Sequence, residues 1–159
     1  MIVDQTTCDA DEVKRLFDYL MKTPVSLSVS QLFIDYEIEV YQAKIQSLDE
    51  LGENYTIWSN LGGIRVETKY KIREAYEGLM KAKNVDPLSV KNWKCVNKYI
   101  TLIGEGKLEL IITAMKSEVG LMFIDGNKRA TAFYEYHKER GIESINLPLY
   151  LFKVKTKRM

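Results

Sequence analysis

Phe123-Ile124-Asp125-Gly126-Asn127-Lys128-Arg129 places a carboxylate, a glycine, an amide and two cations in five consecutive positions, after two apolar residues. Upstream, Leu108, Leu110, Ile111, Ile112, Met115, Val119 and Met122 recur at near-helical spacing. Downstream, from Ala130 to Arg140, Ala132, Phe133, Tyr136 and His137 alternate with Glu135, Lys138 and Glu139. The pattern predicts two apolar-faced helices joined by a polar turn. Amides at a helix start have no intrahelical acceptor and lie at the positive end of the dipole, and Gly126 would let an anion approach the backbone. The turn therefore reads as an anion site suited to phosphate. Lys128 and Arg129 add positive charge, and Asp125 could hold a hard cation such as Mg²⁺ through its oxygens. The competing reading is an interhelical turn in which Asp125 and Asn127 cap the next helix and the cations are solvated.

The rest of the chain sets bounds on that reading. Its 159 residues suit a single domain over 1–159 with a substantial core. With 28% charged residues and a net charge of +1, no global electrostatic argument favours nucleic acid or an anionic membrane. No apolar run approaches the roughly 20 residues of a membrane span. Met1-Ile2-Val3-Asp4 does not begin a basic region followed by an apolar stretch, so the expected location is cytoplasmic. Cys8 and Cys95 are the two cysteines and His137 the one histidine, too few for a structural zinc site. Two free thiols are expected in preference to a disulfide.

Taken in order, Asp9 or Asp11 should cap a helix to about Met21, with Val13, Leu16, Phe17 and Leu20 as its apolar stripe. Leu27 to Leu51 reads as one longer helix through Leu32, Ile34, Ile38, Tyr41, Ile45 and Leu48, stopped by Gly52. Tyr55 to Glu67 carries the clearest hairpin signal, two β-branched or aromatic arms around Gly62-Gly63. Thr68 to Lys83 reads as an amphipathic helix. Pro87 should open the next one, which Gly104-Glu105-Gly106 ends. On that helix Lys91, Lys94 and Lys98 share one side, and the balanced total charge favours a solvated face over nucleic acid. Ile145 to Val154, interrupted by Pro148, reads as an edge strand or extended arm within a C-terminal stretch 142–159.

Phe123 to Arg129 resembles the central motif of the Fic/Doc family, HPFxDGNGRxxR in Fic proteins and HxFxDANKRTA in Doc-like ones, with Lys128 as in the Doc branch and Gly126 as in the Fic branch. The resemblance implies a mainly α fold of about six helices with one β-hairpin flap. It also implies ATP or another nucleotide at Gly126, Asn127, Lys128 and Arg129, with Mg²⁺ on Asp125. By the same resemblance, Ile64, Arg65 and Val66 would lie on a flap that docks a target protein by strand addition. The family's basic histidine falls on Leu121 and its proline on Met122; Leu121 has no proton-accepting atom.

The expected function is thus a Fic/Doc-fold protein that keeps the phosphate turn but lacks the base, a pseudoenzyme or partner-binding module. The alternative is an active protein AMP transferase or phosphotransferase acting on a target hydroxyl. Neither specific nucleic acid nor a membrane is an expected partner.

Overall fold

The structure, a computed structural model, describes residues 2–56, 60–61, 64–65, 71–82, 87–117 and 120–159. In chain order its elements are β1 (Ile2–Thr7), α1 (Ala10–Leu20), α2 (Ser26–Asp35), β2 (Tyr36–Ser47), α3 (Leu48–Glu53), β3 (Asn60–Leu61) and β4 (Ile64–Arg65). They continue with α4 (Ile72–Ala82), α5 (Pro87–Gly104), β5 (Thr113–Ser117), β6 (Gly120–Asp125), α6 (Asn127–Glu139) and β7 (Ser144–Lys157). Five strands form a mixed sheet in the order β1-β2-β7-β5-β6, in which only β5 and β7 run parallel. This α/β architecture replaces the expected mainly α, Fic-like helical domain.

Two segments account for that correction. The helix expected over Leu27–Leu51 is a helix, a strand and a short helix in succession. Within β2, Val40, Ala43 and Ile45 are buried while Gln42 is exposed, so the chain turns opposite faces to the core as a pleat requires. The helix expected before Asp125 is instead the antiparallel pair β5–β6, registered with Thr113 opposite Asp125 and Ser117 opposite Gly120. Leu121 and Phe123 are buried and Met122 and Ile124 half-buried, a period of two. Residues 118 and 119, Val119 among them, lie outside the described set.

β7 corrects a third expectation, for it is an interior strand paired with both β2 and β5. Pro148 is tolerated there because β5 joins only at Tyr150, whose N–H donates to Ile112 O at 2.8 Å. Two residues earlier, on the same edge, the missing N–H of proline costs no ladder bond to β5.

The sheet is covered on both faces. On one, Ala43, Ile45, Leu121, Phe123, Leu147 and Leu149 pack with Leu51 of α3, Ile72 of α4 and Ala130 and Phe133 of α6. On the other, Val40 and Phe152 pack with Cys8, with Leu16 and Leu20 of α1 and with Val29 of α2. Burying each such large apolar side chain contributes about 1.5–3 kcal/mol. Outside the first layer, α5 packs Val96 against Leu79 of α4 and Ala132 of α6.

The outer edge of β6 is capped by Tyr55, whose N–H donates to Leu121 O and whose O accepts from Phe123 N–H, both at 2.8 Å. Tyr55 also pairs with Lys71, so the insertion between them is rooted beside β6. Of the expected hairpin, Asn60 pairs with Arg65 and Leu61 with Ile64. Trp58, Gly62, Gly63, Val66 and Glu67 lie outside the described residues. Among the described residues no helix is long and apolar enough to cross a membrane.

Candidate functional site

The polar motif is a strand–glycine–helix junction. β6 ends at Asp125, Gly126 takes a left-handed conformation (φ +85°), and α6 begins at Asn127. A side chain at Gly126 would be strained twice: by its φ, and because a Cβ would lie 2.9 Å from Ile112 Cγ1 and 3.2 Å from Ile111 O. The glycine therefore lets the turn pack closely onto the segment that leads into β5.

Other helix starts show what this one lacks. Asp9 caps α1 by accepting from Glu12 N–H at 2.9 Å, and Asp11 and Glu12 occupy its first turn. Ser47 caps α3, with Asp49 and Glu50 behind it. α6 has no side-chain cap and no acid in its first turn, where Lys128 and Arg129 stand instead. α2 also lacks a side-chain cap, but Ser26-Leu27-Ser28 brings no charge there. Cations at a helix N-terminus oppose the dipole; here Asp125 pairs with Arg129, and Lys128 makes no ion pair among the described residues.

Arg129 is held in place. Its guanidinium donates to Asp125 Oδ2 at 3.1 Å and to the hydroxyl of Tyr19, from the end of α1, at 2.9 Å. Only 15% of the Arg129 side chain and 12% of the Asp125 side chain are exposed. Burial pushes the Asp125 carboxyl above the ordinary carboxylate value, against the opposing pull of Arg129, the Gly126 amide and Lys128. Burial disfavours the Arg129 cation too, but Tyr19, Asp125 and Tyr99 outweigh it and hold its pKa above the ordinary value. Tyr99 of α5 is raised by burial and by a hydrogen bond with Cys95. Tyr19 of α1 and Asp125 at the end of β6 thus meet at one guanidinium of α6.

This geometry changes the roles expected for several residues. Arg129 does not stand open for a terminal phosphate, since two of its nitrogens are engaged. Asn127 is buried, while Lys128 is half-buried and makes no ion pair among the described residues. Asp125, the expected Mg²⁺ ligand, has its carboxylate paired with Arg129 at 3.1 Å. Leu121, at the expected base position, is 5% exposed and points into the core shared by α3, α4 and α6. A histidine there would be a buried polar group rather than a base facing the turn. His137 is structural, its Nδ1 2.7 Å from Phe133 O and its ring against Phe133. Ile64 and Arg65 are placed as the short strand β4, and Val66 falls outside the described residues.

Thr113, opposite Asp125 in the ladder, is fully buried with a hydroxyl that has no hydrogen-bond partner. Tyr19 and Thr113 carry no sequence signal as site residues. They reach the turn only through the fold, Tyr19 from 110 positions away.

Comparisons with family models, with curated proteins and with solved structures returned no match, so the fold and the junction are read from this chain's own residues.

Proposed function

We propose that the chain is a phosphate-binding protein whose β6–α6 junction takes the phosphate of a nucleotide or other phosphate ester, and that it binds rather than transfers. The observation that carries this reading is the start of α6. A glycine in the left-handed region replaces a capping side chain, and two cations follow where α1 and α3 place acids. An external anion would be favoured there by the positive end of the helix dipole and by Lys128.

Arg129 supports the reading as a positioning residue. A guanidinium has five N–H donors, and anchoring by Asp125 and Tyr19 fixes its plane without using them all. The anion contacts then fall to the backbone of residues 126–128, to Lys128 and to the remaining Arg129 donors. Mg²⁺ is no part of this proposal, because the one carboxylate at the turn is committed to Arg129. Protein-hydroxyl transfer is set aside as well, since Leu121 supplies no base and lies inside the core.

Isothermal titration with ATP and with pyrophosphate, each with and without Mg²⁺, tests the proposal. Binding should be saturable and independent of Mg²⁺, and Lys128→Gln should weaken it several-fold. No saturable heat with either ligand would overturn it, as would binding unaffected by Lys128→Gln.

A further inference from the structure

Asp4, Lys44 and Glu109 line one cleft of about 500 Å³, within the size range of small-molecule sites. Lys44 is half-buried and the two carboxylates are exposed. None of the three forms an ion pair among the described residues. Opposite charges that share a cleft without pairing leave each other free for an outside group.

The register places the cleft on the α1 side of the sheet. Gln42 lies opposite Thr6 and Tyr150, and Lys44 opposite Pro148. Directly opposed residues share a face, as do residues two apart on a strand. Gln42 donates to Glu12 of α1, and Tyr150 packs with the cluster under α1 and α2, which identifies the face. The two helices cover it over Val40 and Phe152. Toward Lys44 and Pro148 it is open, and Gln42 and Pro148 are exposed.

Two backbone irregularities shape the walls. β1 carries one more residue between Val3 and Thr6 than β2 has between Lys44 and Gln42. Asp4, in that bulge, is the one non-glycine residue at positive φ among the described residues (φ +55°). A bulge re-aims a side chain, and Asp4 borders the cleft. On the far side, Tyr150 N–H donates to Ile112 O, but Pro148, two residues earlier, has no N–H to extend the pairing. Residues 109–111 therefore stand outside the β5–β7 ladder and bring Glu109, Leu110 and Ile111 to the cleft.

Across the sheet order β1-β2-β7-β5, the charges run negative at Asp4, positive at Lys44 and negative again at Glu109, on the segment leading into β5. A simple anion would meet the carboxylates and a simple cation would meet Lys44, and like charges brought together are disfavoured. The order complements a ligand whose charges run positive, negative, positive. We propose that this cleft binds a free basic α-amino acid, lysine or arginine. Its α-carboxylate pairs with Lys44, its α-ammonium with Asp4 on the neighbouring strand, and its side-chain cation with Glu109. The aliphatic stem lies over Ile111, Pro148 and Tyr150. From β2 across β7 to the Glu109 segment is two strand spacings, about 10 Å, which the four-carbon stem of lysine and the Glu109 side chain bridge together. The proposal is independent of the phosphate reading of the β6–α6 junction.

Isothermal titration with lysine and with three analogues, each missing one charge, tests it. Free lysine should bind saturably. Norleucine, lysine amide and Nα-acetyl-lysine, which lack in turn the side-chain cation, the carboxylate and the α-ammonium, should each bind about tenfold more weakly. Each variant should erase one preference: Glu109→Gln that for lysine over norleucine, Lys44→Gln that over lysine amide, and Asp4→Asn that over Nα-acetyl-lysine. Lys157→Gln, at an exposed lysine of β7 outside the cleft, should behave as wild type. A thermal melt of each variant verifies folding, and the analogue series on wild-type protein stands without them. No saturable binding of lysine or arginine would overturn the proposal. So would norleucine binding as tightly as lysine, or the three variants keeping the wild-type preferences.

Discussion

The starts of α1 and α6 solve the same problem in opposite ways. Every helix begins with amides that have no intrahelical acceptor. α1 settles them internally: Asp9 accepts from Glu12 N–H, and Asp11 and Glu12 complement the dipole. α6 has no side-chain cap, with Gly126 at the cap position and Lys128 and Arg129 against the dipole. The two helices also meet, since Tyr19 near the end of α1 steadies Arg129 in the first turn of α6. A helix start closed by its own side chains serves stability. The α6 start is cationic instead, with its arginine held by Asp125 and Tyr19, and it is on this contrast that the proposed anion site rests.

Three substitutions and one control would break or sharpen this contrast. The largest effect is expected at Gly126, where alanine combines a left-handed backbone with a Cβ 2.9 Å from Ile112 Cγ1. Gly126→Ala should cost about 2–4 kcal/mol, read as a lower urea midpoint with unchanged m-value. Gly141, also at positive φ but with nothing near its would-be Cβ, is the control and should cost less on alanine substitution. Asp9→Ala removes the α1 cap and should cost about 1 kcal/mol by the same urea measurement, with no change in anion binding.

The smallest effect is a pH dependence. Burial raises the Asp125 carboxyl, so the folded state holds that proton more tightly than the unfolded chain does. Stability from this group is greatest below the ordinary Asp value near 3.9. It is lost as pH rises from there through the folded-state pKa. Urea midpoints across mildly acidic pH should therefore show a falling contribution in wild type that is absent in Asp125→Asn. An identical pH profile in the two proteins would contradict the assignment.

The sequence made α1, α5 and α6 readable because each carries a local stop or start signal: Asp9 before Ala10, Pro87 with Gly104 to Gly106, and Gly126 with Gly141 around α6. The sheet was not readable, for two physical reasons. Residues four apart satisfy both a helical and a strand period, so Ile34 and Ile38, then Tyr41 and Ile45, passed for a helix face although buried Val40 and Ala43 lie between them. Pairing is also non-local: β2 meets β7 with Tyr36 opposite Lys157, which no window of sequence can show. The same limit applies to the site. The sequence marked Asp125 to Arg129 as a polar turn, but Tyr19, which holds its arginine, comes from another helix.

The most direct test of the account is a ¹H–¹⁵N NMR titration with pyrophosphate that follows the amides at both helix starts. The account predicts saturable shifts at Gly126, Asn127, Lys128 and Arg129 with a common dissociation constant, and no saturable shift at Asp11 or Glu12 behind the Asp9 cap. Silence at residues 126–129, or equal shifts at the two starts, would contradict the claim that the β6–α6 junction is an anion site.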